Sequence, residues 1–491
     1  MKIHNKFFPV LILNIFLLFF VQSFSYGETS EISEYIRNDI KNIFTKHGFI
    51  NDFSTKFNNL SVPIKKSGLS LGSNTPNQTK KCATSLIRDL KLYVSSQKSG
   101  IKQLLEKNLY LMRPGDPEDP YDPAAAFKEY KTTHFSIHYI NTPGHPYSVS
   151  LLDLNNNTIP DIIESYSDIF EQTYNTEIAL GFRPPVDDND GYYDVYFVDL
   201  QSGIMGDAFA YTATDPEDNY PIQCPSYIVM DNDYLDGSYL GTTSSNVMGL
   251  LKVIFAHEFF HSLQFAYNAY GDAWFMEACS TWMEDVVYND VNDFYRFLPD
   301  FLNNPQFSLE HIGTISSDYT YEYGACLFPR FLTNKYGIDL VKGTWEYMSN
   351  DKEKIIDKGL ALLGLRTLFI QKGLSFDSVL GDFYTASYFI STNYSDFYAN
   401  NFYKDEESRN FPQSMKILNE ITYPFSKLIS SDSNAPQDTG ANYVIINPDN
   451  FQFDLQLMFI GDSRANWDGK IIKIKTDNSL EIENFVFTEN N

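Results

Sequence analysis

The sequence predicts an α+β protein: a mixed sheet leading into one long buried helix and a helical subdomain, with a helical N-terminal segment and a small C-terminal β-sandwich. Three observations predict it. Residues alternate in strand fashion at His134–Tyr139, and Tyr193–Val198 and Tyr227–Met230 are two further strand candidates. Helical patterns then run from about Asn246 to Tyr270 and from about Trp274 to Asn289, with several more over residues 290–410. After about Tyr423 short strand patterns return, at Tyr443–Ile446, Phe451–Phe459 and Lys470–Ile474. Strands followed by helices, rather than alternating with them, is the α+β order.

Taken from the start, Met1 to Lys6 is basic, Phe7 to Val21 is apolar, and Ser23-Phe24-Ser25-Tyr26-Gly27 is mostly small. Those are the parts of a secretory signal peptide, so residues 1–27 are expected to be removed on export. The apolar run is short for a membrane span and no second one follows, so no stable span is expected after removal. Residues 28–128 read as a helical prosegment or accessory domain, with helices around Ser30–Lys46, Ala83–Val94 and Ser99–Leu111 and a polar stretch at Ser67–Lys81. The run Arg113-Pro114-Gly115-Asp116-Pro117 with Asp119-Pro120-Tyr121-Asp122-Pro123 breaks any helix and closes that segment. The principal domain then spans 129–412, with a helix near Ile159–Ile178 and another near Tyr321–Tyr336 kinked at Pro329. Residues 413–491 form the β-rich tail.

A formal charge of −26 repels phosphate backbones, which excludes nucleic acid as an expected partner. Excess carboxylates suit calcium sites. The four cysteines, Cys82, Cys224, Cys279 and Cys326, permit two disulfides in any of three pairings in an exported chain, with Cys279 near the candidate metal site.

The chemistry concentrates in His257-Glu258-Phe259-Phe260-His261. On a helix, positions i and i+4 share a face, so both imidazoles address one point, as a tetrahedral zinc needs. Glu258 stands where a general base can take a proton from a water acidified by that zinc. Apolar Val253-Ile254-Phe255-Ala256 ahead of it and Phe259-Phe260 within it mark a buried helix. Burying two imidazoles and a carboxylate without metal is costly.

The third ligand sorts the class. A third-histidine pattern needs Gly at 264 and His at 267, where this chain has Gln264 and Tyr267. Asp272 is one candidate. Glu277, opening the next helix within Trp274-Phe275-Met276-Glu277, is the better one. This stretch resembles the gluzincin peptidases, whose WxxE after HExxH supplies a glutamate ligand; Trp274, Glu277, Ser280, Thr281, Trp282 and Glu284 are in register. Thr281 stands where thermolysin-like members carry an Asp that orients a histidine, which leaves Glu284 and Asp285 as candidates for that work. Tyr321-Glu322-Tyr323-Gly324-Ala325 resembles the YEKGA-like stretch of gluzincin aminopeptidases, which implies that Tyr321 stabilises the oxyanion; Tyr323 replaces that family's Lys. Blocks from His134 to Gly337, taken in order, are similar to a family of secreted bacterial proteins classed as metalloproteases. The resemblance implies a zincin-like catalytic domain and peptidase activity.

Residues Asp153 to Glu164 fit a calcium-loop template, with oxygen side chains at Asp153, Asn155, Asn157, Asp161 and Glu164. Thr158 occupies the position usually given to Gly, which weakens the site. Asp187-Asp188-Asn189-Asp190-Gly191 reads equally well as a polar turn and is assigned no metal. The expectation is a secreted zinc peptidase acting on peptide or protein, with His257, His261 and Glu277 as ligands, Glu258 as base and calcium in the acidic loop. The alternatives are a non-catalytic, calcium-stabilised exported binding protein with a vestigial metal site, and an HExxH hydrolase acting on something other than peptide.

Overall fold

The computed structural model describes residues 34–49, 80–116, 127–200, 208–215, 221–234, 247–390, 411, 413–422, 435–447, 467, 469–475 and 479–484. The signal peptide expected at 1–27 and the strand expected at Phe451–Phe459 lie outside them. The expected mixed sheet is present with five strands: β1 (Lys128–Lys131), β2 (Phe135–Tyr139), β3 (Tyr193–Val198), β4 (Ala210–Thr214) and β5 (Ser226–Asp231). Their order is β1-β2-β3-β5-β4. β2, β3 and β5 are parallel neighbours, and β1 and β4 pair antiparallel at the two edges. Sequence patterning missed both edge strands. Lys128-Glu129-Tyr130-Lys131 is mostly polar, and Ala210-Tyr211-Thr212-Ala213-Thr214 alternates only in small residues.

Both faces of the sheet are covered, and side-chain alternation says by what. Tyr193, Val195 and Phe197 of β3 point with Ile228 and Met230 of β5 into one core, shared with α4 (Asp161–Ala179) and α5 (Val247–Phe265). Tyr196, Val198, Tyr211, Ala213, Tyr227 and Val229 point the other way. They pack against α1 (Glu34–Lys46), α2 (Thr84–Ser95) and α3 (Ser99–Asn108). The described part of residues 28–128 is therefore one layer of the main core. α5 is apolar on nearly its whole circumference, the composition of a helix surrounded by protein.

α6 (Ala273–Val287) packs along α5 and is followed by α7 (Leu298–Leu302), α8 (Tyr321–Gly324), α9 (Leu327–Tyr336), α10 (Asp339–Ser349), α11 (Leu360–Gln371) and α12 (Phe376–Tyr388). The single kinked helix expected at Tyr321–Tyr336 is two helices. A Cβ at Gly324 would lie 2.7 Å from both the Phe297 carbonyl oxygen and the Phe301 Cβ, so only glycine fits this contact. Pro329 falls in the first turn of α9, where a missing N–H leaves no bond unmade. In the tail, β6 (Asn419–Thr422) pairs parallel with β7 (Val444–Asn447), and β8 (Lys470–Ile474) pairs antiparallel with β9 (Leu480–Asn484). Among the described residues these are two separate pairs. All four cysteines are buried free thiols, so neither disulfide permitted by the sequence is formed. No helix among the described residues is long and apolar enough to cross a membrane.

α4 contains one cost. Glu177 is fully buried, and neither carboxylate oxygen has a hydrogen-bond partner. Burial pushes its pKa well above the usual value, so folding takes up a proton. A raised folded pKa gives full stability below the unfolded value of about 4.3 and loses it as pH rises, by about 1.4 kcal/mol per unit until the folded pKa is reached. Glu177→Met is expected to melt at higher temperature than the parent, by a margin that grows from pH 5 to pH 7; an unchanged margin would contradict the buried, unpaired carboxyl.

Candidate metal centre

α5 and α6 run side by side and fix the relative placement of the histidines and Glu277. His257, Glu258, His261 and Glu277 are all at most 4 % exposed. His257 Nδ1 lies 2.8 Å from Glu284 Oε1, and His261 Nδ1 lies 2.8 Å from Gln264 Oε1. A carboxylate and an amide oxygen only accept, so both Nδ1 atoms carry the proton and both Nε2 lone pairs are left for a ligand. Gln264 is held in turn, its amide donating to the Met276 carbonyl and to Ser280 Oγ. Glu284 thus does for His257 what the sequence sought in place of Thr281. Asp285 faces away and pairs with Arg330 at 2.8 Å.

The two Nε2 atoms converge on Glu277 Oε2, at 3.2 Å from His257 and 3.6 Å from His261. A fourth donor completes the group: Cys82 Sγ, 3.4 Å from His261 Nε2. One donor atom from each of Cys82, His257, His261 and Glu277 lies within 4.8 Å of all the others. Donors bound about 2.0–2.3 Å from one tetrahedral ion stand roughly 3.3–3.6 Å apart, so these residues fit zinc. The electrostatics agree. Glu258, Glu277 and Glu284 are buried together, and among the described residues Lys81 meets Glu284 at 2.5 Å. Burial opposes charge on His257, yet its bonds to Glu277 and Glu284 prevail and raise its pKa to about 9. Glu277 is likewise held well below the usual carboxylate range, against burial, by the two histidines. Without metal a proton on His257 supplies the missing positive charge, and a divalent cation can replace it.

The sequence placed Cys279 near the metal. The structure brings Cys82 there instead, with Cys279 buried beside Trp345. Cys82 sits 175 positions (257 − 82) before the motif, so no local pattern joined them. Burial, with Glu258 and Glu277 nearby, pushes its thiol pKa well up in the absence of a cation. Asp272 is not at the centre either; its carboxylate accepts the N–H groups of Gly359 and Ala361 at the start of α11.

Tyr321, expected to face the centre, does not reach it. Tyr321 is buried against Phe301 and donates its hydroxyl to the Phe307 carbonyl, 3.2 Å away. It is Tyr323 whose ring lies 6.0 Å from that of His257, with its hydroxyl on the backbone N–H and C=O of Cys82. The acidic loop gathers its five side chains. Asp153 and Asn155 accept backbone N–H groups of the loop, Asp161 accepts that of Leu154, and the amides of Asn155 and Asn157 donate to Glu164. Thr158 takes a φ of 74°, the left-handed conformation for which glycine is usual. Asp187, Asp188 and Asp190 also come together, with Arg113 against Asp188.

Residues 244–477 match a family of unknown function (DUF6055). That match spans α5, α6 and everything after them up to β8, just under half of the chain, and leaves out Cys82 and the sheet. No curated protein matches the sequence.

Proposed function

We propose that the chain is an exported zinc-dependent peptidase with His257, His261 and Glu277 as its metal ligands. The observation that carries this is the convergence of two Nε2 lone pairs and a carboxylate at tetrahedral spacing, with Glu258 adjoining them on the same helix. Zinc held there supplies Lewis acidity, polarising a scissile carbonyl and lowering the pKa of water towards about 7. Glu258 takes the proton of the attacking water and passes it to the departing amine. Glu284 and Gln264 keep both imidazoles in the ligating tautomer. Tyr323, not Tyr321, is the phenol poised to donate to the developing oxyanion. The second reading, a closed non-catalytic site, is favoured by one observation: four protein donors rather than three meet at the centre.

Zinc-loaded protein incubated with a peptide library, before and after limited trypsin treatment, separates the two. The parent is expected to generate new peptide termini in at least one of the two conditions, and Glu258→Gln to cut that rate by about 10²-fold or more with bound zinc unchanged. Zinc binding with no new termini under either condition would favour the closed site. Glu284→Gln is expected to weaken zinc affinity by about 10–100-fold, read by competition with a chelator. For the acidic loop, we propose calcium, supported by the match to the loop template and by the hydrogen bonds that tie Asn155 and Asn157 to Glu164 and Asp153 and Asp161 to the loop backbone. Millimolar calcium is expected to raise the melting temperature of the parent and not that of Glu164→Ala.

A further inference from the structure

The chain ahead of α2 enters the candidate centre and leaves almost no space in it. Residues Lys81 to Thr84 run beside β4, the edge strand of the sheet. Phe209 N–H donates to the Lys81 carbonyl, Ala83 N–H to the Ala210 carbonyl, and Cys82 bridges Ala210 in parallel sense. This is how an extended peptide adds to an exposed strand edge. From that line each side chain meets a different part of the chemistry. Lys81 pairs with Glu284 at 2.5 Å, and Cys82 Sγ faces His261 Nε2. Thr84 Oγ1 donates to Glu258 Oε2 at 2.8 Å, and Ser85 Oγ donates to Glu277 Oε1 at 2.7 Å. The backbone of Cys82 occupies the Tyr323 hydroxyl. Lys80 anchors the start of the run in a buried pair with Glu322. The space remaining between this run, Glu277 and Tyr323 is about 10 Å³, at most one water.

We propose that Lys80–Ser85 is a built-in occupant of the substrate cleft, with Cys82 as fourth metal ligand, and that it holds the full chain latent. The inference rests on the peptidase reading above. Ordinary folding does not need this arrangement: a helix-capping segment requires neither a thiol placed among two imidazoles and a carboxylate nor a hydroxyl on each carboxylate. Cys82 supplies a soft ligand suited to zinc, and the flanking hydroxyls cover the base and the third ligand. Activation then consists of withdrawing this short extended run together with the first residues of α2, which frees a coordination position, Glu258 and the Tyr323 hydroxyl together.

The test uses the full chain loaded with cobalt(II) in place of zinc, beside Cys82→Ala and, as a control, Cys279→Ala. The expected result is a near-ultraviolet thiolate-to-cobalt charge-transfer band in the parent and in Cys279→Ala, absent from Cys82→Ala with cobalt still bound. Hydrolysis of a quenched fluorescent peptide mixture by the zinc form should rise at least tenfold in Cys82→Ala. Should Cys82→Ala fail to fold, X-ray absorption at the zinc edge of the unaltered protein is expected to show one sulfur at about 2.3 Å. Bound metal without that band or sulfur, or a variant with the parent's spectrum or the parent's rate, overturns the latency proposal; the peptidase reading stands if the forms hydrolyse the peptides and falls if none does. Failure of every form to bind cobalt or zinc removes both.

Discussion

The hydrogen bond from His257 Nδ1 to Glu284 is the constraint on which the rest of the site depends. It fixes which nitrogen of His257 can bind a ligand, and it joins α5 to α6 at the level where Glu277 must reach both imidazoles. The same carboxylate receives Lys81, so the N-terminal segment is drawn to the centre by the residue that orients it. Removing Glu284 would therefore leave the His257 Nδ1–H without its acceptor and Lys81 with Asp293 as its remaining carboxylate, 3.1 Å away, and weakly compensated buried charges are among the costlier defects a core can carry.

Much of this arrangement was legible in the sequence where residues close in the chain do the work. The i, i+4 histidines, the adjoining glutamate and the apolar surroundings of α5 were enough to place two imidazoles on one face of a buried helix with a carboxylate beside them. Glu277 came from the WxxE resemblance, which also left Glu284 and Asp285 as candidates to orient a histidine; in the structure Glu277 and Glu284 lie on one helix facing His257. Legibility ended where the fold joins distant segments. Cys82 reaches His261 only because α2 packs on β4, and β4 itself has too few large residues to announce a strand. The tyrosine assignment failed for a related reason. In a single helical turn from Tyr321 to Gly324, a shift of two positions decides which side chain faces α5, and motif register could not decide it.

The edge strand β4 deserves its small residues. Ala210 and Thr212 let another backbone approach closely, and Thr212 also sends its own hydroxyl to Glu258. An edge with a free row of N–H and C=O groups invites pairing, and here the chain's own segment supplies it. The thiols show a comparable economy: three of the four are buried away from the centre, and the one placed among ligands arrives from the segment that covers the cleft.

The covering of both sheet faces has a kinetic consequence. Tyr196, Tyr211, Tyr227, Val198 and Val229 are buried beneath α1–α3, and each large side chain returned to water costs about 1.5–3 kcal/mol. Cutting the peptide chain between α3 and β1 would therefore not release the N-terminal helices. The product would be a two-fragment complex held by a shared core, and its lifetime, rather than the cut itself, would set how long the cleft stays filled.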